Sequence, residues 1–276
     1  MPLNETSGRV AVVTGAGSGI GRAMVAHFVE RGMKVAAADI DAASAAESAT
    51  LAGGEVISMG VDVADPTSVD ALAELVYGEW GEVNLLCNNA GVFQAGLSWE
   101  RSVADWEWAL GVNLWGIING VKSFVPRMLE GGQQGHVVNT SSVAGFVAAP
   151  YSGPYNVSKV AAFSMTETLA HDLQAVGAEI GASVLCPSSI RTGIAHTDRV
   201  RPGGPSDEGA DAALVRDSLF QITETGIDPA DVPPIVLAGI EAGDFLIATK
   251  PSYENQIQTR FDALLARRLP PTPAVD

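Results

Sequence analysis

The stretch Thr14-Gly15-Ala16-Gly17-Ser18-Gly19-Ile20-Gly21 constrains the fold more than any other part of the chain. It follows a β-branched run at 9–13 and opens a helical stripe, Ile20, Met24 and Phe28, that stops at Gly32. A second β-branched run at 35–39 completes a strand, glycine turn, helix, strand unit. The alternation continues. Further strands are predicted at 56–62, 83–87, 136–140, 183–186 and 245–248. Asp65 and Pro66 open a helix carrying Val69, Leu72, Val76 and Trp80 on one face. Long helices are predicted at 103–129 and 155–176, another opens near Pro229, and the alanine-rich DAASAAESAT reads as helix. Such a pattern predicts an α/β fold: a doubly wound parallel sheet of about seven strands with helices on both faces.

The 276 residues are 47% hydrophobic and 17% charged, which suits one domain spanning 1–276. Two stretches look irregular. Residues 192–208, around RPGGPSDEG, follow a strand end, where open α/β sheets place their ligand crevice, and predict a substrate lid at about 192–226. The prolines of PPTPAVD stop the helix that carries Ile257, Phe261, Leu264 and Leu265, leaving an extended tail at about 269–276. A formal net charge of -16 repels phosphate, which argues against nucleic-acid or anionic-membrane partners. With no basic leader and no apolar run of about twenty residues, a soluble cytoplasmic protein is expected. Cys87 and Cys186 lack metal-ligand spacing and read as buried free thiols rather than a disulfide or zinc site; no metal is predicted.

Glycines at the strand end let backbone approach a pyrophosphate, and the helix N-terminus offers it unpaired N–H groups. Gly15, Ser18, Gly19, Ile20 and Gly21 are the candidates for that contact. Asp39, at the end of the next strand, can accept both ribose hydroxyls of NAD and would repel the 2′-phosphate of NADP. Its neighbours Ser18 and Ile40 are not basic, so NAD is the predicted cofactor. Asp62 and Val63 end the third strand and can bracket the adenine, Asp62 alternatively serving as a helix cap. Asn89, Ala90 and Gly91 end the fourth, where small residues permit close approach.

Tyr155 and Lys159 stand four residues apart on one helix face. A phenol with a pKa of about 10 is a poor base at neutral pH, and bringing it to about 7 takes roughly 4 kcal/mol of phenolate stabilisation. The Lys159 ammonium and a nicotinamide cation are the two sources of positive charge expected to supply it.

With its glycine motif, NNAG and YxxxK, the chain resembles the short-chain dehydrogenase/reductase family from about residue 8 to residue 192. The resemblance implies a Rossmann-type fold and a catalytic group of Asn113, Ser142, Tyr155 and Lys159. Ser142 lies in NTSS at the end of the fifth strand, and Asn113 in GVNLWG would hold a water in a proton relay to Lys159. In CPSSIRT, Pro187, Ile190 and Thr192 match the segment that grips the nicotinamide and the pyrophosphate. Tyr155 and Lys159 would also contact the nicotinamide ribose. Three departures stand out: Ser188 for the usual glycine after Pro187, Asn84 for an aspartate, read as the loss of one charge and little else, and Val232-Pro233-Pro234, which sets a helix boundary near Asp231.

The resemblance implies hydride transfer between NAD and a substrate, Tyr155 removing the hydroxyl proton in oxidation and donating it in reduction, with Ser142 hydrogen-bonded to the substrate oxygen. NAD points to oxidation as the working direction. Around the pocket mouth it would place Phe93, Gln94, Phe146, Tyr151, Ile194, His196 and Phe220. These favour a small hydrophobic secondary alcohol or ketone. GVNLWGIINGVKSFVPRML and IAHTDRVRP are similar to the family branch of bacterial dehydrogenases acting on benzylic alcohols of lignin-derived aromatics. A homotetramer or dimer is implied, through helices at 106–124 and 155–175, leaving Trp108, Trp115 and Val121 as interface or core. The rival reading is a catalytically silent NAD(H)-sensing or interaction protein on the same fold.

Overall fold

The structure, a computed structural model, describes residues 6–204 and 209–273. Its described residues form one sheet of seven strands, all paired in parallel, in the order β3-β2-β1-β4-β5-β6-β7. These are β1 Val10–Thr14, β2 Lys34–Asp39, β3 Val56–Gly60, β4 Leu85–Asn88, β5 Gly135–Thr140, β6 Ile180–Cys186 and β7 Leu246–Ala248. Between β1 and β4 the order reverses. Chains leave the sheet in opposite directions there and open a crevice at the carboxyl ends of the strands.

Both faces of the sheet are covered, as buried parallel strands require. In β1, Ala11 and Val13 point to one face and Val10 and Val12 to the other, all essentially inaccessible. Helices α1 Gly19–Glu30 and α8 Val232–Ala242 close the first face with Met24, Phe28, Val236 and Ile240. The second is closed by α3 Pro66–Trp80, α5 Gly116–Gly131 and α6 Gly153–Ala175, through Leu72, Val76, Phe124, Met128 and Leu173. Truncating a ring such as Phe28 or Phe124 to alanine would cost about 3–5 kcal/mol. Asp65 and Pro66 cap α3 as expected, the Asp65 carboxylate accepting from Thr67 N at 2.9 Å. Helix α2, Ala42–Ala52, is held by Asp41 in the same way.

Three local outcomes differ from the expectation. The helix expected at 103–129 runs as α4 Val103–Leu110, a single wide π-helical turn Gly111–Trp115, and then α5. Asn84 is more than a lost charge: fully buried, it accepts Val10 N at 2.9 Å and so pins the start of β1 against the start of β4. Residues 193–200 are not irregular, but form 3-10 turns, Gly193–Val200, kinked at His196, before α7 Ala210–Glu224. Of the rest of the expected irregular stretch, 201–204 form a turn, Gly204 N donating to Arg201 O at 3.0 Å, and 205–208 lie outside the described residues, as do tail residues 274–276. After α9, Tyr253–Leu265, residues 269–273 have no regular structure, in keeping with the prolines. The α8 boundary falls at Asp231, and both cysteines are buried and unbridged, as read from sequence. Among the described residues no helix is long and apolar enough to cross a membrane.

Candidate active site

A cavity of about 850 Å³ occupies the crevice at the strand ends. At one end lies the glycine turn. Gly15 has φ +66, and a Cβ there would sit 2.8 Å from Ala90 Cα; one on Gly21 would sit 2.0 Å from the Gly15 carbonyl oxygen. Side chains are excluded, so backbone itself forms the wall. Ser18 precedes α1 in extended conformation without capping it through its side chain, which leaves the first N–H groups of α1 for an anion. Gly15, Ser18, Gly19, Ile20 and Gly21 all line the cavity.

Asp39 and Ile40 stand at the end of β2 beside this turn. The Asp39 carboxylate accepts Gly17 N at 2.8 Å through Oδ2 and Asp41 N at 3.0 Å through Oδ1. Those bonds fix its orientation and leave each oxygen a lone pair for a diol. Val63 and Asp62 line the next sector, and Asp62 also accepts Ala64 N at 2.9 Å, so it is both wall and local cap. Asn89 donates to Thr14 O at 3.0 Å, tying β4 to β1 and holding Ala90 and Gly91 against the cavity. These residues fit a dinucleotide: an uncapped helix end for phosphates, an oriented carboxylate for a ribose, and a strand-end wall for a base. Sequence spacing missed Arg199. Carried by the 193–200 turns, it lines the cavity and, after the hydrogen bonds from Ser44, helps hold the Asp41 carboxyl below its usual value.

At the other end the expected catalytic side chains come together. Ser142 follows β5, and its Oγ accepts Ala144 N at 3.2 Å, the cap of a short 3-10 turn that faces the hydroxyl into the cavity. Tyr155 lies in the first turn of α6, its ring edge-on to Phe93 at 4.9 Å between centroids. Burial pushes the Tyr155 phenol above its usual value, and hydrogen bonding with Ser142 works against that. Lys159, expected together with the nicotinamide cation to stabilise the phenolate, is itself buried. Its Nζ donates to Thr140 O at 3.0 Å and sits 5.7 Å from the Tyr155 ring centroid, and burial pulls its pKa down to about 8.

Asn113 occupies the π-helical turn and is fully buried behind the cavity wall rather than in it. Its amide accepts Val92 N at 2.8 Å and donates to Val92 O and Ser158 Oγ, each at 2.9 Å. A Cβ on Gly91 would meet Lys159 Nζ at 3.3 Å and Asn113 Oδ1 at 3.4 Å, so glycine keeps a gap between the two groups. Pro187, Ile190 and Thr192 line the cavity, with the Thr192 methyl packed over Gly19; Ser188 is tied to Thr249 by a 3.0 Å backbone N–H bond.

Of the residues expected at the pocket mouth, Phe93, Tyr151 and Ile194 line the cavity. Four do not. Gln94 is buried one layer back, its carbonyl accepting Arg201 Nη1 at 3.1 Å. Phe146 packs into an apolar cluster with Val184, Cys186 and Tyr253. The kink at His196 turns that ring outward onto Phe220, 5.2 Å away, and Phe220 lines a second cavity of about 590 Å³ on the outer side of α1. Trp108, left open as interface or core, is cavity wall; Trp115 is exposed and Val121 packs on the core. Sequence also missed Arg201, α7 residues Leu219 and Ile222, and Thr272 and Pro273, where the tail returns to the cavity.

A sequence model of the short chain dehydrogenases matches residues 9–202, from β1 to the end of the 193–200 turns. The chain belongs to the short-chain dehydrogenase family. A short-chain dehydrogenase/reductase from Burkholderia phymatum, solved in complex with NAD, superposes with a TM-score of 0.95 at 39% identity, covering 99% of both chains. The CLA biosynthesis dehydrogenase/reductase of Lactiplantibacillus plantarum is 30% identical over 99% of both chains. The C alpha-dehydrogenase of a Sphingobium species is 31% identical over 95% of this chain and 87% of its own. In this short-chain dehydrogenase the family match ends at residue 202, short of α7, whose Leu219 and Ile222 line the cavity.

Proposed function

We propose that this short-chain dehydrogenase is an NAD-dependent oxidoreductase interconverting a hydrophobic secondary alcohol and its ketone. The observation that carries the reading is the meeting of Ser142, Tyr155 and Lys159 with the glycine turn and Asp39 in one cavity. Gly15, Ser18, Gly19, Ile20 and Gly21 would receive the pyrophosphate, Asp39 and Ile40 the adenosine ribose, Asp62 and Val63 the adenine, and Asn89 to Thr192 the nicotinamide side. NAD bound there supplies the hydride acceptor for the carbinol carbon. The Burkholderia phymatum protein, solved with NAD, supports that choice.

The chain's own residues handle the proton. Ser142 Oγ–H donates to the substrate oxygen and aims its hydroxyl at Tyr155. Tyr155 Oη takes the substrate's hydroxyl proton during oxidation and returns it to the ketone oxygen during reduction. Because burial holds the phenol up, the phenolate needs positive charge close by; Lys159 supplies it when protonated, and Asn113 positions the backbone of Val92 and the wall at Gly91 around that ammonium. Phe93, Tyr151 and Ile194 would hold the apolar body of the substrate. Among such alcohols we favour a benzylic carbinol, on the resemblance to the lignin-aromatic branch, of which the Sphingobium C alpha-dehydrogenase is a relative.

We further assign residues 192–226 as a substrate lid within one domain, and self-association through the helical stretches at 106–124 and 155–175, where Trp115, Val157 and Val160 are exposed. A cytoplasmic protein fits both. The deciding experiment is nicotinamide reduction with NAD and with NADP across aliphatic, alicyclic, steroid and benzylic secondary alcohols, with Tyr155→Phe alongside. Turnover with NAD that falls by at least about a thousandfold in Tyr155→Phe, with a far smaller loss of NAD affinity, is expected. NAD binding without turnover on any alcohol would turn the assignment to the silent sensor.

A further inference from the structure

Arg201 is a cavity-lining group that neither cofactor binding nor proton transfer uses. Its side chain is 10% exposed and lies over Trp108, with Cζ 5.2 Å from the indole centroid. Nη1 makes both of its polar contacts, at 2.5 Å to Asp105 Oδ1 and 3.1 Å to Gln94 Oε1. A guanidinium carries five N–H donors. Among the described residues no acceptor meets Nε or Nη2, yet neither is sealed away from open space. Arg101 makes the contrast: its Nε is buried without a partner among the described residues, and Arg101 lines neither this cavity nor the one beside α1.

The placement of these donors is fixed. Gln94, which holds the guanidinium, directly follows Phe93, whose ring meets Tyr155. From the reacting phenol the cavity wall therefore runs by way of Phe93 to Arg201 and Trp108. Asp105 sits in a capping box at the start of α4, so the partner of Arg201 is itself anchored through Ser102. Asp105 cancels the charge of Arg201, and Glu107 lines the same cavity, so an anionic group gains little there. A neutral oxygen gains most, because the unpaired N–H groups keep full donor strength. The Trp108 face beside them suits a flat ring.

We propose that Arg201 determines specificity by donating to a neutral oxygen acceptor that an aromatic substrate carries at the end remote from its carbinol. This rests on the dehydrogenase reading of the site, so the test separates binding from turnover. Two ligands of similar shape, 1-(4-carbamoylphenyl)ethanol and 1-(4-isopropylphenyl)ethanol, would be titrated calorimetrically into the NAD complex of Tyr155→Phe, with and without Arg201→Met. Loss of the donor should weaken the amide about tenfold, the low end for a hydrogen bond to a charged group, and the isopropyl ligand less than twofold.

Equal loss for both ligands would make Arg201 a strut for the lid and overturn the proposal, as would failure of both to bind at millimolar concentration. Tighter binding of the 4-carboxylate analogue than of the amide would overturn the neutral acceptor. If Arg201→Met melts early, Arg201→Lys, which keeps the pairing with Asp105, repeats the comparison under the same criterion. Selective binding that depends on Arg201, with no turnover by the enzyme carrying Tyr155, would uphold the proposal and remove the dehydrogenase reading instead.

Discussion

Replacing Lys159 by methionine should make the cofactor-free protein more stable while removing its activity. Lys159 is 3% exposed, and burial pulls its pKa from 10.5 to about 8. At about 1.4 kcal/mol per tenfold change in proton affinity, carrying the ammonium at pH 7 costs the folded state about 3 kcal/mol. Methionine fills a similar volume without that cost, but it leaves the Thr140 carbonyl without its donor, a loss of about 1–1.5 kcal/mol. The balance at pH 7 favours the variant by about 2 kcal/mol, or roughly 4 °C in melting temperature for a chain of this size. The sign with pH follows from linkage. Between the folded pKa of about 8 and the unfolded value of 10.5, the unfolded chain binds more protons than the folded one. The stability of the parent therefore rises with pH across that window, and only about 1.4 kcal/mol of the cost remains at pH 9.5. Thermal unfolding followed by circular dichroism at pH 7 and 9.5 reads this directly. The advantage of the variant should be present at the first pH and gone at the second. A variant less stable than its parent at pH 7, or an advantage equal at both, would refute the claim that burial strains this ammonium.

Alongside the Tyr155→Phe comparison, three further outcomes are expected. Burial raises Tyr155, so alcohol oxidation, which needs the phenolate, should accelerate from pH 7 to 9.5 while ketone reduction, which needs the phenol, slows; paired initial-rate profiles check the opposition. Asp39→Asn keeps the shape and the Gly17 contact but drops the charge, so KM for NAD should rise about tenfold and the preference over NADP should shrink; an unchanged ratio of kcat/KM for the two cofactors would remove Asp39 from discrimination. Multi-angle light scattering should give an oligomer at micromolar concentration, and Trp115→Asp together with Val160→Asp should shift it to monomer, since both side chains are exposed on the proposed contact face. A parent that is already monomeric would end the assembly assignment.

The parts of this fold that local chemistry writes were legible in the sequence. Burial of β1 on both faces needs unbroken apolar residues, Asp65 with Pro66 caps a helix wherever it occurs, and Gly15 and Gly21 stand where any Cβ would strike backbone. The cofactor half of the cavity is built from strand ends that follow one another in the chain, so spacing found Asp39, Asp62 and Asn89. The other half is built from segments far apart in sequence. Arg201 reaches Gln94 and Asp105 across roughly a hundred residues, Arg199 arrives opposite Asp41, and Thr272 returns from the chain's far end. No periodicity encodes such meetings.

The four misplaced pocket residues carry the same lesson in finer grain. Aromaticity says that Phe146 and Phe220 will be shielded from water, but whether by core, cavity or another ring depends on a kink at His196 and on where Tyr253 falls. Gln94 is the sharpest case. Its neighbour Phe93 faces the cavity and meets Tyr155, so the next side chain turns away from the cavity and finds Arg201 behind the wall. The residue read from sequence as a substrate contact thus acts on the substrate side only through the guanidinium it holds. If Arg201 reads the substrate as proposed, specificity is set by the second layer as much as by the first, because Arg201 lines the cavity and is held by Gln94 behind it.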